Sequence, residues 1–443
     1  MHMQRSTTLL LVIILLAASI LYLAGMATVP FHPDESTQLF MSADLETLFT
    51  NPAALFFNPQ ATSDLRQHYR LMDAPLPRYW IGLARMLSGQ PALRSDWDWS
   101  LSWDENAARG ALPSTGQLLA ARRLLALLLP FSLYFMYRLG LLLAGPAAGW
   151  SALLLTTLNA LVLLHTRRAM AEGLLLFNIT LSLWLLLRGG KRPWLAAVPL
   201  ALAFLCKQSA VALLLPAGLA LLTPLGGIRR ASTRWRNTML AAGIFLALVL
   251  LLNPVFWANP AQAVPAALRE RSAFVQAQVT AHTKAGGALL ANRLPERLVG
   301  IVAQLYLTPP AVMDVGNYRA ALACAESEYL GNPLHTLLRG FAGGGLLLLL
   351  AIFGLLAGSL RAIKEKQPGG AFWLFTLAGL AQAAALLLVP VPFQRYSIAL
   401  VPYAVLFAGI GIALIWDALR TRGIEKPPIS KNEHGGKQSG NAG

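Results

Sequence analysis

Residues 9–35 read LLLVIILLAASILYLAGMATVPFHPDE. The apolar run from Leu9 to Val29 is long enough to cross a bilayer as one helix, which takes about 20 apolar residues. It runs directly into His32-Pro33-Asp34-Glu35, an acidic pair at the expected membrane exit, where carboxylates can act on a substrate anchored in lipid. A signal peptide is the competing interpretation, with Ala24-Gly25-Met26-Ala27 as its cleavage site. The run exceeds the roughly 7–15 residues of a signal core, so a retained anchor is the expectation.

Composition points the same way. Of 443 residues, 56% are hydrophobic and only 13% charged, against about 25% charged in a typical soluble chain. Several segments facing lipid explain the missing charge. The net charge of +16 would suit nucleic acid, but the Lys and Arg residues cluster in short loops between apolar runs, which argues for no nucleic-acid role. Cys206 and Cys324 lie in different kinds of segment, so neither a disulfide framework nor a thiolate metal site is expected.

Apolar runs recur at about 7–28, 117–145, 147–165, 169–187, 194–223, 238–257, 336–360, 371–389 and 397–416. Basic clusters separate some of them: Arg188/Lys191/Arg192, Arg229/Arg230/Arg234/Arg236 and Arg361/Lys364/Lys366. The positive-inside rule puts these loops in the cytoplasm, leaving 29–116 and 258–335 as the two long outer segments. The run 194–223 has basic flanks on both sides yet is too short for two full crossings. A pair of short helices or a re-entrant hairpin with Lys207 near its apex satisfies both constraints. The expected fold is an all-α polytopic bundle of about ten membrane segments with a large first extracytoplasmic loop. That loop holds ten of the chain's twenty acidic residues and Trp80, Trp97, Trp99 and Trp103, suited to an interfacial belt or a sugar-stacking surface. Residues 258–335 read as mixed, with loop at Pro309-Pro310 and Asn317-Tyr318. The polar tail 423–443 is expected to be a disordered cytoplasmic extension.

Five short stretches carry the candidate chemistry. In Asp34-Glu35, one carboxylate suits a general base for an incoming hydroxyl or amine and the other its orientation; a solvated helix end is the plain alternative. Asp73-Ala-Pro-Leu-Pro-Arg78 can hold Asp73 and Arg78 on a rigid turn, or be only a turn. Arg168 and Glu172, four apart, would share a helix face, lining a cavity or merely pairing within the bundle. Lys207, deep in an apolar run, suits a lipid-linked phosphate, with snorkelling as the alternative. Arg395-Tyr396 precedes the last run, where Arg can grip phosphate bidentately or Tyr can anchor at an interface.

In that order these stretches resemble the GT-C class of membrane glycosyltransferases, specifically the family of protein O-mannosyltransferases and aminoarabinose lipid A transferases, which depend on a phospholipid carrier. His32-Pro33-Asp34-Glu35 looks like the family's first-loop Asp-Glu motif. Asp73-Ala-Pro-Leu-Pro-Arg78 looks like its His/Lys-Pro-Pro-Leu stretch, with Asp73 in place of the basic residue and the second proline displaced. The resemblance implies a catalytic domain over 1–422 that moves a sugar, with inversion, from a polyprenyl-phosphate donor to a lipid, glycan or protein acceptor. Transfer would take place on the extracytoplasmic face of a plasma membrane. It also implies roles: Asp34 and Glu35 catalytic, Lys207, Arg395 and Tyr396 at the donor phosphate, and Asp73, Arg78, Arg168 and Glu172 shaping the cavity. No cofactor or metal is implied, and no metal-ligand spacing such as HExxH is present. A transporter or lipid flippase would also have about ten spans and ionisable groups in cavities, and a membrane scaffold is a third reading. The large acidic first loop and the lack of an evident inverted repeat favour the transferase.

Overall fold

The computed structural model describes residues 5–190, 192–223, 230–284, 293–313, 318–365, 370–391 and 393–422, and among them there are helices and no strands. The tail 423–443, Asn317 and parts of the basic loops, including Lys191, Arg229 and Lys366, lie outside the described residues.

The first helix, α1 (Arg5–Ala24), shows why the architecture needs lipid. Leu11, Ala18 and Tyr22 face the bundle, while Leu9, Leu10, Val12, Ile13, Leu16 and Ile20 point outward. Water around that surface would be costly; hydrocarbon is neutral to it. Among the described residues, five helices are long and apolar enough to cross a membrane: Arg5–Ala24, Thr115–Ala144, Ala231–Leu251, Gly340–Lys364 and Gln394–Thr421. Four shorter apolar helices accompany them: Glu172–Leu187, Pro193–Cys206, Gln208–Leu222 and Ala371–Leu387. The protein is an all-α polytopic membrane protein.

Between these runs the first polar segment folds into a helical cap: α2 (Pro33–Met41), α3 (Asp44–Thr50), α4 (Leu65–Met72), α5 (Leu76–Leu87) and α6 (Trp103–Ala108). The bundle continues with α7 (Thr115–Ala126), α8 (Leu129–Ala144), α9 (Pro146–Thr157), α10 (Ala160–His165) and α11 (Glu172–Leu187). The run 147–165 is broken, because the Asn159 side chain accepts from the N–H groups of Leu161 at 3.0 Å and Val162 at 3.3 Å and starts a new helix.

The run 194–223 is a hairpin. Its arms contain α12 (Ala197–Cys206) and α13 (Leu214–Leu222), with a tight turn at Lys207 followed by a 3₁₀ stretch, Gln208–Leu213. Ala197, near the start of the first arm, and Leu221, near the end of the second, belong to one packed cluster. Lys207 stands at the apex in extended backbone.

The remaining helices are α14 (Ala231–Leu251), α15 (Pro260–Lys284), α16 (Leu294–Val302), α17 (Arg319–Gly331), α18 (Gly345–Lys364), α19 (Ala371–Leu387) and α20 (Val401–Arg422). The described residues of 258–335 are largely helical, with Pro309 and Pro310 outside the helices as expected. Central α20 packs on α9 and α18. A Cβ at Gly354 would strike the Phe407 carbonyl, so glycine sets how closely α18 and α20 approach. Helix α15 packs on α4, closing one side of the space between cap and bundle.

Candidate active site

That space is a cavity of about 430 Å³. Its walls come from α2, the α4–α5 turn, the Trp99 loop, the start of α11, the hairpin apex, α15 and residues 393–396. The sequence-predicted residues Asp34, Asp73, Glu172, Lys207, Arg395 and Tyr396 all line it.

Asp34 owes its position to a helix cap. His32 is the N-cap of α2, with its Nδ1 3.1 Å from the Asp34 N–H, and Pro33 fills the first helical position. The Asp34 carboxylate then projects into the cavity, 2.8 Å from the Arg395 guanidinium. Arg395 is aimed by its neighbour: buried Gln394 donates to Thr308 at 3.0 Å and to the Pro309 carbonyl at 2.9 Å, and accepts from the Ala311 N–H at 2.6 Å. This clamps residues 393–396 against 308–311.

Lys207 reaches Glu172, Nζ to Oε1 at 3.0 Å, and its ammonium lies 4.2 Å from the Tyr396 ring centre. Arg395 approaches the same ring at 5.7 Å. Two cations thus flank one aromatic face, each balanced by a carboxylate on the cavity wall. Asp73 closes α4; its N–H donates to the Tyr69 carbonyl at 2.9 Å and its own carbonyl accepts from Arg78 at 2.7 Å. Burial pushes the Asp73 carboxyl above the ordinary aspartate range, against the pull of Arg78 and Arg271.

Three expected residues stand behind the walls instead. Glu35 is fully buried in a paired fork with Arg122, at 2.7 and 2.8 Å, and accepts from the N–H groups of His32 at 3.0 Å and Ala169 at 2.7 Å. Burial, the largest single influence, would raise its carboxyl, but Arg122, Arg168 and the Ala169 N–H together outweigh it and hold Glu35 below the ordinary glutamate range. Enclosed by these partners, Glu35, expected beside Asp34 in the chemistry, does not line the cavity. Arg78 is likewise committed, 3.2 Å from Asp44, which also takes Arg70 at 2.8 Å. Buried Arg168 donates to the backbone carbonyls of Pro30 at 3.3 Å and Val312 at 2.7 Å. It does not share a helix face with Glu172, because residues 166–171 are not helical and α11 begins at Glu172. The partner of Glu172 is Lys207.

Some of the cavity was not foreseen. Arg271, Phe274, Gln278 and Ala281 line it from one face of α15, at the three- and four-residue spacing of a helix. The charged run Arg269-Glu270-Arg271 was the available cue. Tyr69 and Gln38 also contribute, and Tyr69 donates to Asp96 at 2.5 Å. Of the four tryptophans in the first polar segment, Trp99 lines the cavity; Trp97 and Trp103 pack with Phe31 and Tyr318 in a cluster beside it. Among the described residues no group of three or more His, Cys, Asp or Glu side chains is arranged to hold a metal ion.

No protein-family model matches the chain. No curated protein matches it either. Among solved structures it is similar to the archaeal oligosaccharyltransferase AglB from Archaeoglobus fulgidus, a GT-C membrane enzyme solved with an inhibitory peptide and a dolichol-phosphate. The TM-score is 0.50 and the identity 12%, over 98% of this chain and 53% of that one. The chain has the GT-C fold. It spans about half the length of AglB, so the likeness concerns the fold alone.

Proposed function

We propose that the protein is an inverting glycosyltransferase that moves a sugar from a polyprenyl-phosphate carrier to a lipid, glycan or protein acceptor on the extracytoplasmic side of a plasma membrane. The observation that carries this reading is the meeting, in one cavity beside apolar helices, of the partly exposed carboxylate of Asp34 with the cations of Lys207 and Arg395. The carbon–oxygen bond between the sugar and its phosphate breaks, and the phosphate leaves with the electron pair. Lys207 and Arg395 hold the charge that develops on it. A lone pair of the acceptor hydroxyl or amine attacks the anomeric carbon from the opposite face, and Asp34 takes its proton. Arg395 neutralises Asp34 while the site waits; when the phosphate arrives it competes for the guanidinium and releases the base. Glu35 and Arg122 fix the start of α2 so that Asp34 keeps its aim, and Tyr396 spaces the two cations. The AglB structure, with its dolichol-phosphate and peptide, supports a lipid carrier and a separate acceptor for this fold.

The test uses protein in nanodiscs with a panel of labelled polyprenyl-phosphate sugars and candidate acceptors, following release of polyprenyl phosphate. The native chain is expected to turn over one donor, and Asp34→Asn to lose about 10²–10⁴-fold in rate with donor binding retained. Full activity of Asp34→Asn, or solute movement across sealed vesicles without donor consumption, would overturn the reading.

A further inference from the structure

The imidazole of His32 is enclosed in the wall behind Asp34, with none of its surface exposed. Both of its nitrogens face hydrogen-bond donors. Nδ1 lies 3.1 Å from the backbone nitrogen of Asp34, and Nε2 lies 3.1 Å from Nη1 of Arg395. A neutral imidazole has one acceptor and one N–H, so the ring can accept from only one of the two.

The guanidinium is the stronger claimant, because a hydrogen bond from a charged donor is roughly twice as strong as one from a neutral donor. The opposite tautomer would also turn an Nε2 proton against the guanidinium's own N–H. With Nε2 accepting, the ring proton sits on Nδ1, 3.6 Å from Oδ1 of Asp34, where it faces a carboxylate. The start of α2 keeps the other half of its cap in either tautomer, since the Glu35 carboxylate accepts from the His32 N–H at 3.0 Å.

One nitrogen of Arg395 serves both neighbours. Nη1 is 2.8 Å from Oδ2 of Asp34 and 3.1 Å from Nε2 of His32, and it carries two protons, one for each. An anion entering the cavity can take the place of Asp34, whose side chain is 32% exposed. It cannot take the place of the sealed His32 ring.

We infer that His32, as its Nδ1–H tautomer, is the positioning residue for Arg395. It holds Nη1 through one N–H while the other N–H turns from Asp34 to the phosphate of the carrier. His32 touches no substrate; it keeps the guanidinium in place after the base has been released. This inference rests on the transfer reading above, and the experiment separates the two.

The first measurement leaves His32 unaltered. Ring nitrogen-15 spectra of histidine-labelled protein in nanodiscs are compared for the native chain and Arg395→Met. Of the seven histidines, one is expected to move its proton from Nδ1 to Nε2 in the variant, where the Asp34 N–H becomes the sole claimant on the ring. Identical tautomers throughout the two proteins would overturn the inference.

The second measurement is the affinity for bare polyprenyl phosphate. His32→Asn supplies a good helix cap but ends short of Arg395. It is expected to lose about tenfold, the lower end of what a hydrogen bond to a charged group is worth. His32→Gln, whose amide extends to the position of Nε2, is expected to recover most of that loss. In an Arg395→Met background, His32→Asn is expected to cost no more than about twofold further, the tolerance within which independent effects add. Native affinity in His32→Asn, no recovery in His32→Gln, or a tenfold loss that persists without Arg395 would leave His32 as a helix cap alone and the transfer reading standing. A native chain that does not bind polyprenyl phosphate would overturn both.

Discussion

The guanidinium of Arg395 lies 2.8 Å from the carboxylate of Asp34, tying the approach to the last apolar helix to the first turn of the cap. The second cavity cation is held in the same manner, Lys207 at 3.0 Å from Glu172. In a partly enclosed space, opposite charges on facing walls keep the empty site close to neutral, and they give an incoming anion two cations that are already in position.

Replacing either cation therefore tests the site directly. Lys207→Met and Arg395→Met are each expected to raise the donor KM by about 10- to 100-fold, the value of a charge-assisted hydrogen bond to phosphate. Arg395→Lys is expected to restore only part of this, since an ammonium cannot reproduce a guanidinium fork. Initial rates against donor concentration decide it; unchanged KM in both methionine variants would remove the phosphate role.

On the proposed reading, donor binding is expected to depend on pH through Asp73. Its carboxyl is held above the ordinary aspartate range by burial, so on lowering pH it takes up a proton earlier than a free aspartate, whose pKa is about 3.9. That proton removes one negative charge beside Arg271, while the donor phosphodiester stays anionic. Donor KM is expected to fall as pH drops into this window, and the effect to vanish in Asp73→Asn. A pH profile identical in the two proteins would count against it.

Glu35 is a question of stability. Glu35→Gln leaves Arg122 buried with half a partner, and breaking a buried pair costs about 3–5 kcal/mol. A marked drop in thermal midpoint in detergent is expected, partly recovered by adding Arg122→Met. The sign of the pH effect follows from the depressed carboxyl: Glu35 stabilises the fold above its ordinary pKa, and that contribution is lost as pH falls below about 4.3. A native midpoint that is flat through this range would contradict the assignment.

Gly354 tests the bundle away from the cavity. Gly354→Ala places a methyl against the Phe407 carbonyl on α20 and is expected to destabilise by about 1–3 kcal/mol, with donor affinity unchanged in the folded fraction. Thermal midpoints read the first effect and donor titration the second.

Much of the fold was legible because lipid imposes a simple rule on sequence: long apolar runs become helices, and basic residues collect in loops between them. The nine runs are matched by helices or broken helices, including 194–223, where the hairpin was one of two arrangements that the basic flanks and the short length allowed. The breaks were not legible. Asn159 and the non-helical stretch 166–171 are local hydrogen-bonding choices inside apolar sequence, and they move Glu172 away from Arg168 and towards Lys207. The long helix α15 was missed because its composition is neither apolar nor strongly periodic, and with it went Arg271.

The sequence by itself determined an all-helical membrane bundle and most of the polar residues gathered in its cavity, because a charge set among apolar residues stands out. Tertiary structure alone decided which of those charges face the cavity and which hold the frame. Asp34 and Glu35 are neighbours in the chain, yet successive residues on a helix point in different directions. One meets the cavity and Arg395; the other is sealed against Arg122, whose partner no local pattern could name.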